Sequence, residues 1–205
     1  MFQKWYNLVV DQALGIALLQ WVILVLGVAE VLLAKVNSIW LYPTGLAATV
    51  LSVIVLFEAQ LFAESLLNVY YVVMSIYGWW FWLEKKNAPP MKITFANGSD
   101  WVMTGLIAIG GWLILFGTLK TFTPSTVPGW DAWVSATAWA GMWLLARRKV
   151  ENWILLNVSN AFAIPLLYQK ELYVFALLTL FLFIVACFGY VGWVRIAKKE
   201  TDETY

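Results

Sequence analysis

The chain has 205 residues, of which 62% are hydrophobic and only 12% are charged, and its net charge is +1. Together with a mean hydropathy of +0.77, this composition excludes a soluble domain and indicates a membrane protein. There is no histidine, and Cys187 is the single cysteine, which excludes an intrachain disulfide. A metal or haem site would have to rest on carboxylates alone, so we expect no metal and no cofactor.

Seven apolar segments follow one another along the chain, most of them close to the roughly 20 residues that cross a bilayer as a helix. They cover residues 13–34, 39–57, 62–82, 102–119, 133–146, 153–168 and 172–194. The fifth is short, and we expect it to extend into the aromatic stretch from Trp130. Residues 1–12 contain Trp5 and Tyr6, which are typical of a short interfacial helix. The connections leave no room for a soluble domain, so we expect residues 1–205 to form one all-α membrane domain with seven transmembrane helices.

Basic residues are distributed unevenly between the two ends of the predicted helices. An odd number of spans puts the N-terminus and the C-terminus on opposite sides of the membrane. Three Lys or Arg residues fall on the N-terminal side and ten on the other. Because cytoplasmic loops carry an excess of Lys and Arg, this asymmetry predicts an external N-terminus and a cytoplasmic C-terminus.

A faint repeat at a spacing of 111 residues links the two halves of the chain. The paired positions are Leu61-Phe62 with Leu172-Tyr173, Gly78 with Gly189, Trp82 with Trp193 and, after a gap of two residues, Trp40 with Trp153. Three helices end opposite to where they start, so a parallel copy needs one additional crossing. The spacing favours a 3+1+3 parallel repeat, with a bundle over 13–83, a linker helix over 102–119 and a second bundle over 130–195; such duplication is typical of transporters. Chance similarity between apolar helices is the alternative.

Two predicted helices carry stripes of polar and aromatic side chains on one face. At 100° per residue, the stripe of the third span contains Asn68, Ser75, Trp79 and Trp82, with Tyr71 nearby. The stripe of the sixth span contains Trp153, Asn157 and Asn160. Rings stack and amides read polar edges, so this combination suits a planar heterocycle that carries a sugar or hydroxyl. Two alternatives stay open: an interfacial aromatic belt for the tryptophans and helix-to-helix hydrogen bonds for the asparagines.

Glu30 is the one carboxylate well inside an apolar segment. It either faces a cavity, where it would attract a cationic substrate, or reaches water or a basic residue such as Lys35 near the end of the first span. Other functions are excluded by missing residues. The seventh span has no Lys for a retinal, there is no Walker-type loop, and a catalytic triad cannot be assembled without histidine, so we expect no enzyme.

Three stretches resemble signatures of the PnuC family of vitamin transporters. They are Leu61 to Tyr71 continuing into Ser75 to Trp82, Ala146 to Trp153, and Gly189 to Trp193. The resemblance covers nearly the whole chain and keeps the order of the motifs. It departs from the family pattern at Asn68, where Gln is usual, at Leu156, which replaces the second Trp of a Trp-x-x-Trp pair, and at Asn160, where Asp is common.

The resemblance implies a SWEET-like fold, a homotrimer in the bacterial inner membrane, and uptake of nicotinamide riboside by facilitated diffusion. A cytoplasmic kinase would then trap the substrate by phosphorylation. The polar and aromatic positions of the third and sixth spans are those expected to touch the vitamin, with Glu30 as an additional charge in the cavity. Thiamine and riboflavin are alternative substrates within the same family. A membrane structural or sensory protein, whose asparagines only join helices, is the alternative outside it. No nucleic acid partner is expected beside the vitamin and the lipid bilayer.

Overall fold

The computed structural model describes residues 2–16, 18–58, 62–84, 92–123 and 126–202. Over these ranges it contains eight α-helices and no β-strand, apart from an isolated bridge between Thr94 and Lys149. The helices are α1 Phe2–Gly15, α2 Leu18–Lys35, α3 Leu41–Glu58, α4 Phe62–Glu84, α5 Gly98–Phe122, α6 Pro128–Ala146, α7 Asn152–Gln169 and α8 Tyr173–Asp202. The all-α prediction is confirmed. Leu61 of the repeat and Lys85 and Lys86 of the basic count lie outside the described residues.

The largest differences from the predicted boundaries lie in the first and the last span. The first segment was expected over 13–34, but a bend at Ile16 ends α1 and a separate helix, α2, begins at Leu18. Hydropathy cannot reveal this break, because the residues on both sides of it are apolar. The last helix continues to Asp202, beyond the predicted 194, since the charged residues that leave the apolar layer are also good helix formers. The expected extension of the fifth segment is confirmed, because α6 begins at Pro128.

Helices α2 to α8 are long enough for a membrane. Each has at least 18 residues, which corresponds to about 27 Å or more at 1.5 Å per residue, close to the roughly 30 Å of the hydrocarbon layer. Within the described part of the chain, α2, α5 and Tyr173–Lys199 of α8 are both long and apolar enough to span it, and α3 contains the shorter apolar stretch Leu41–Val55. The chain is therefore a multi-pass membrane protein.

The helices pack as two groups of three. Within the first group α3 contacts α2 and α4, and within the second α7 contacts α6 and α8. The groups meet through two helix pairs, α2 with α8 and α4 with α6. Helix α5 packs mainly against α6 and turns apolar side chains such as Leu106 and Ile109 outward.

Two buried tryptophans bond across the two groups. The indole nitrogen of Trp82 on α4 donates to the carbonyl of Ala146 at the end of α6, at 3.0 Å. The indole nitrogen of Trp193 on α8 donates to the carbonyl of Ala34 near the end of α2, at 3.1 Å. The last carbonyls of a helix have no partner within it, so each group supplies a hydrogen bond to a helix end of the other.

Each of these tryptophans also rests edge-on against a ring of its own group. Tyr42 lies 5.1 Å from Trp82 at 85°, and Trp153 lies 5.7 Å from Trp193 at 86°. The Tyr42 ring lies against Gly78, and the Trp153 ring lies against Gly189, where an added Cβ would be 2.8 Å from the indole.

The contacts of these rings bear on the register of the predicted repeat. Tyr42 and Trp153 are 111 residues apart, as are Trp82 and Trp193. The counterpart of Trp153 in these contacts is therefore Tyr42, without a gap, and the predicted pairing with Trp40, a largely exposed side chain, was wrong.

The turns that leave α2 and α6 have the same geometry. Asn37 and Arg148, again 111 residues apart, both adopt the left-handed conformation, with φ of 55° and 54°. In each turn the following amide reaches back five residues, from Ser38 to the Leu33 carbonyl and from Lys149 to the Leu144 carbonyl, both at 2.9 Å. This pattern ends both helices as a Schellman motif.

The segment that precedes α5 is anchored on the turn between α6 and α7. Asp100 at the start of α5 pairs with Lys149 at 3.0 Å and with Arg147 at 3.5 Å. The Val150 amide donates to the Thr94 carbonyl at 3.0 Å. The stretch Ala146 to Trp153, which resembles a family signature, thus positions the linking helix.

Replacing Trp82 or Trp193 by Phe keeps a ring but removes the indole N–H. We expect each substitution to lower the free energy of unfolding by about 1–3 kcal/mol, because a buried carbonyl loses a partner. Thermal unfolding of the detergent-solubilised protein measures this. Trp80→Phe, at an exposed position of α4, is the matched control and should melt like the wild type. If all three variants melt together with the wild type, the cross-group bonds do not stabilise the fold.

Candidate functional site

A cavity of about 250 Å³ lies between the two helix groups. Its lining residues come from five helices: Glu30, Val31 and Ala34 of α2, Thr49 of α3, Tyr71 of α4, Ala138, Met142 and Leu145 of α6, and Trp153 and Leu156 of α7. Glu30 is the only charged residue among them. We call this the central cavity. It brings together three residues that the sequence predicted, namely Glu30, Tyr71 and Trp153.

The carboxyl group of Glu30 lies against the backbone of α3. A Cβ at Gly45 would overlap Glu30 Oε1, so only glycine leaves room for the carboxyl here. The three ion pairs formed by the described residues do not include Glu30. Lys35, the basic residue that the sequence suggested as a partner of Glu30, instead holds its ammonium 5.4 Å from the centroid of the Phe188 ring. Glu30 therefore faces the cavity without a basic partner among the described residues.

The aromatic walls of the central cavity are held by other rings. Trp153 is 1% exposed and is held by Gly189 and by a T-shaped contact with Trp193. Tyr71 lies 6.0 Å from Tyr70, which in turn stacks on Trp139 at 4.3 Å. Such packing limits the rotamers of both walls, so the cavity has a defined shape.

Leu156 sets the size of the cavity on the α7 side. Its side chain packs closely on Gly141, where an added Cβ would lie 2.9 Å from Leu156 Cδ2. A tryptophan, which the resemblance leads one to expect at this position, would occupy part of the cavity. The departure from the family pattern therefore falls on the cavity wall.

The other predicted residues lie elsewhere. Asn157 lines a groove of about 470 Å³ between α7 and α8, where its Nδ2 donates to Cys187 Sγ at 3.4 Å. Trp79 lines a groove near the ends of α3 and α4, together with Arg148. Asn68 lines a smaller cavity of about 220 Å³, which we call the outer cavity and which also contains Gln20 and Ser52. Ser75 is buried and Asn160 is half-buried.

Several lining residues carried no signal in the sequence. Thr49, Ala138, Met142 and Leu145 line the central cavity, but small and aliphatic residues of this kind occur throughout apolar helices. Helix α6 contributes three of the ten lining residues although no site residue was predicted on it. The stripe argument gives the direction of a side chain around its own helix, not the neighbour that it meets.

Comparisons with known proteins identify a family and a shared fold. Residues 17–195 match the family model described as "Nicotinamide mononucleotide transporter". The chain is 25% identical to the "Nicotinamide riboside transporter PnuC" of Escherichia coli strain K12, over 82% of this chain and 81% of that protein, and equally similar to the protein of that name from Shigella flexneri. A solved structure, "Crystal structure of the Vitamin B3 transporter PnuC", superposes with a TM-score of 0.69 and 20% identity, over 95% of this chain and 90% of the other, which shows a shared fold.

Gly45→Ala tests the position of the Glu30 carboxyl. The added methyl overlaps that carboxyl, so we expect a loss of about 1–3 kcal/mol in the free energy of unfolding. Gly27→Ala on α2 is the matched control, because an added Cβ there has no atom within 4 Å, and it should be neutral or stabilising by up to about 1 kcal/mol. Thermal unfolding compares the two variants. Equal stability would mean that the carboxyl does not rest on Gly45.

Proposed function

We propose that this chain, which belongs to the nicotinamide mononucleotide transporter family, carries nicotinamide riboside across the bacterial inner membrane. The observation that carries this proposal is the central cavity, in which one carboxylate and two aromatic walls meet between the helix groups. Rings of this kind bind a flat heterocycle, and a carboxylate attracts the positive charge of a pyridinium. The similarity to proteins named nicotinamide riboside transporters supports the same substrate.

The charge of the cavity argues for the riboside and against the mononucleotide of the family name. A phosphate is bound in proteins by Arg, Lys or clustered backbone amides. The lining of the central cavity contains no basic side chain and one acidic one, Glu30. A phosphorylated substrate would thus meet repulsion, whereas the nucleoside would not.

The size of the cavity favours a small substrate. Its volume of about 250 Å³ is below the roughly 300–1,000 Å³ of pockets for drug-sized ligands. A three-ring flavin needs more room than a single ring with a ribose, so riboflavin is disfavoured. Thiamine, which is also cationic, is the second candidate, and direct competition separates the two.

The proposed scaffold is a SWEET-like 3+1+3 repeat, with α2–α4 and α6–α8 as the copies, which correspond to the bundles over 13–83 and 130–195. Helix α5, which contains the predicted linker over 102–119, joins them. Two observations support it. The contacts α2 with α8 and α4 with α6 exchange when the copies are exchanged, and the indole bonds and turn geometries recur at the 111-residue spacing.

The proposed path runs from the outer cavity to the central cavity. Gln20 and Asn68 of the outer cavity lie near the N-terminal ends of α2 and α4, which face outward when the N-terminus is external. Asn68 is one helical turn from Tyr71 of the central cavity.

Transport is proposed to be facilitated diffusion, with trapping by a cytoplasmic kinase, in a homotrimer whose C-termini are cytoplasmic. On this proposal Asn157 and Asn160 of α7, Ser75 and Trp79 of α4 contact substrate during its passage rather than in the central cavity.

Uptake into proteoliposomes tests the proposal. Labelled nicotinamide riboside should equilibrate across the membrane without any ion gradient, and unlabelled thiamine, riboflavin or nicotinamide mononucleotide should compete poorly. Accumulation above the external concentration when a sodium or proton gradient is imposed would instead indicate ion coupling. Failure of the riboside to equilibrate, while thiamine does so, would make thiamine the substrate. Empty liposomes provide the background.

Leu156→Trp tests whether the substrate occupies the central cavity. The tryptophan of the family pattern changes the volume of the cavity and places another ring against the ligand, so we expect the affinity for nicotinamide riboside to change about tenfold or more while the protein remains folded. Leu106→Trp, at an outward-facing position of α5, is the matched control and should bind like the wild type. Isothermal titration and size-exclusion chromatography measure binding and folding. Wild-type affinity in Leu156→Trp would place the substrate elsewhere.

A further inference from the structure

We infer that Glu30 makes the transporter selective for a permanently cationic heterocycle over its neutral form, an inference that rests on the proposed function. Nicotinamide riboside exists in two forms of nearly the same shape. The oxidised form contains a positively charged pyridinium, and the reduced dihydropyridine form is neutral. The two forms therefore differ at the ring mainly in charge, which is the property that a carboxylate reads.

The position of Glu30 gives its charge access to a ligand. Its carboxyl lies beside Gly45 on α3 and forms part of the wall that also contains Tyr71 and Trp153. A heterocycle that occupied a cavity of about 250 Å³ would contact most of its lining at once. The ring would therefore lie within reach of the carboxylate and of both aromatic side chains.

The charge balance of the surroundings makes a cationic ligand favourable. Several basic side chains of the described residues are engaged elsewhere: Arg147 and Lys149 with Asp100, Lys170 with Asp131, Lys35 over the Phe188 ring and Arg148 over the Trp82 ring. Among the described residues, Glu30 forms no ion pair. An ionised carboxylate in an apolar helix bundle is costly without a counter-charge. A bound pyridinium supplies that charge, and the neutral dihydropyridine does not.

The aromatic walls act in the same direction. A cation close to the face of Trp or Tyr is attracted by the ring, by up to about 2 kcal/mol when water is excluded. Trp153 and Tyr71 provide such rings, from α7 and α4, in the lining that also contains Glu30. Stacking by itself does not distinguish the two forms of the ligand. The preference for the cation therefore comes from the carboxylate and the ring quadrupoles together.

The test measures binding of the oxidised and the reduced riboside to the purified full chain by isothermal titration. The wild type should bind the cation at least about tenfold more tightly than the neutral form, which corresponds to about 1.4 kcal/mol. In Glu30→Gln, which keeps shape and removes charge, this ratio should fall several-fold, to the smaller preference that the aromatic rings provide without the carboxylate. Glu30→Asp keeps the charge and should retain part of the preference. Glu171→Gln, which removes an exposed carboxylate outside the cavity, is the matched control and should leave the ratio unchanged.

The outcomes separate the two proposals. If Glu30→Gln keeps the wild-type ratio, or weakens both forms equally, Glu30 does not select for charge. If the wild type binds neither riboside but binds thiamine, and Glu30→Gln abolishes that binding, the substrate proposal fails and the role of Glu30 stands. If no cationic heterocycle binds the wild type, both fail. Should Glu30→Gln not fold, a preserved ratio in both Glu30→Asp and Gly45→Ala, which displaces the carboxyl, overturns the inference.

Discussion

The fold depends on the requirement that the carbonyls at helix ends find partners in surroundings that contain little water. Helices α2 and α6 end near the contact between the two groups, and Ala34 and Ala146 receive indole N–H groups from the opposite group. Each bond is buried, and each tryptophan is fixed by a ring of its own group. Arg148, in the left-handed turn after α6, places its guanidinium 3.7 Å from the centroid of the Trp82 ring. In each group, the carbonyl at this helix end accepts its hydrogen bond from a tryptophan of the other group.

The same requirement determines where the central cavity lies. Ala34 accepts the hydrogen bond of Trp193 and also lines the cavity. Trp153 forms part of the cavity wall and makes a T-shaped contact with Trp193. The wall that would meet a substrate is thus continuous with the contact that joins the two helix groups. A change in the distance between α2 and α8 cannot leave the shape of the cavity unchanged. This coupling is what a carrier with its substrate between two bundles requires.

The sequence predicts the helices well and the site in part, for physical reasons. Hydropathy locates a helix because each span must be apolar, but it does not detect the bend at Ile16, where both sides are equally apolar. Helical periodicity put Tyr71 and Asn68 on one face, yet they line different cavities, because a turn of helix separates them along the axis. The alignment of Trp40 with Trp153 was wrong, because it matched the residue type at the cost of a two-residue gap. Tyr42 contacts Trp82 as Trp153 contacts Trp193, and it aligns with Trp153 without a gap. Glu30 was recognised by its charge, but its facing into the cavity depends on Gly45 of a neighbouring helix.

The sulfur that accepts the Asn157 hydrogen bond belongs to Cys187, the one cysteine in the sequence, and it is exposed in the groove between α7 and α8. A thiol-reactive fluorophore would therefore attach at one defined place without removal of any other cysteine. The fluorophore would then lie beside α7. This helix carries Trp153 one turn away from Asn157. The natural chain thus already contains an attachment point for an optical reporter of movements between the helices α7 and α8.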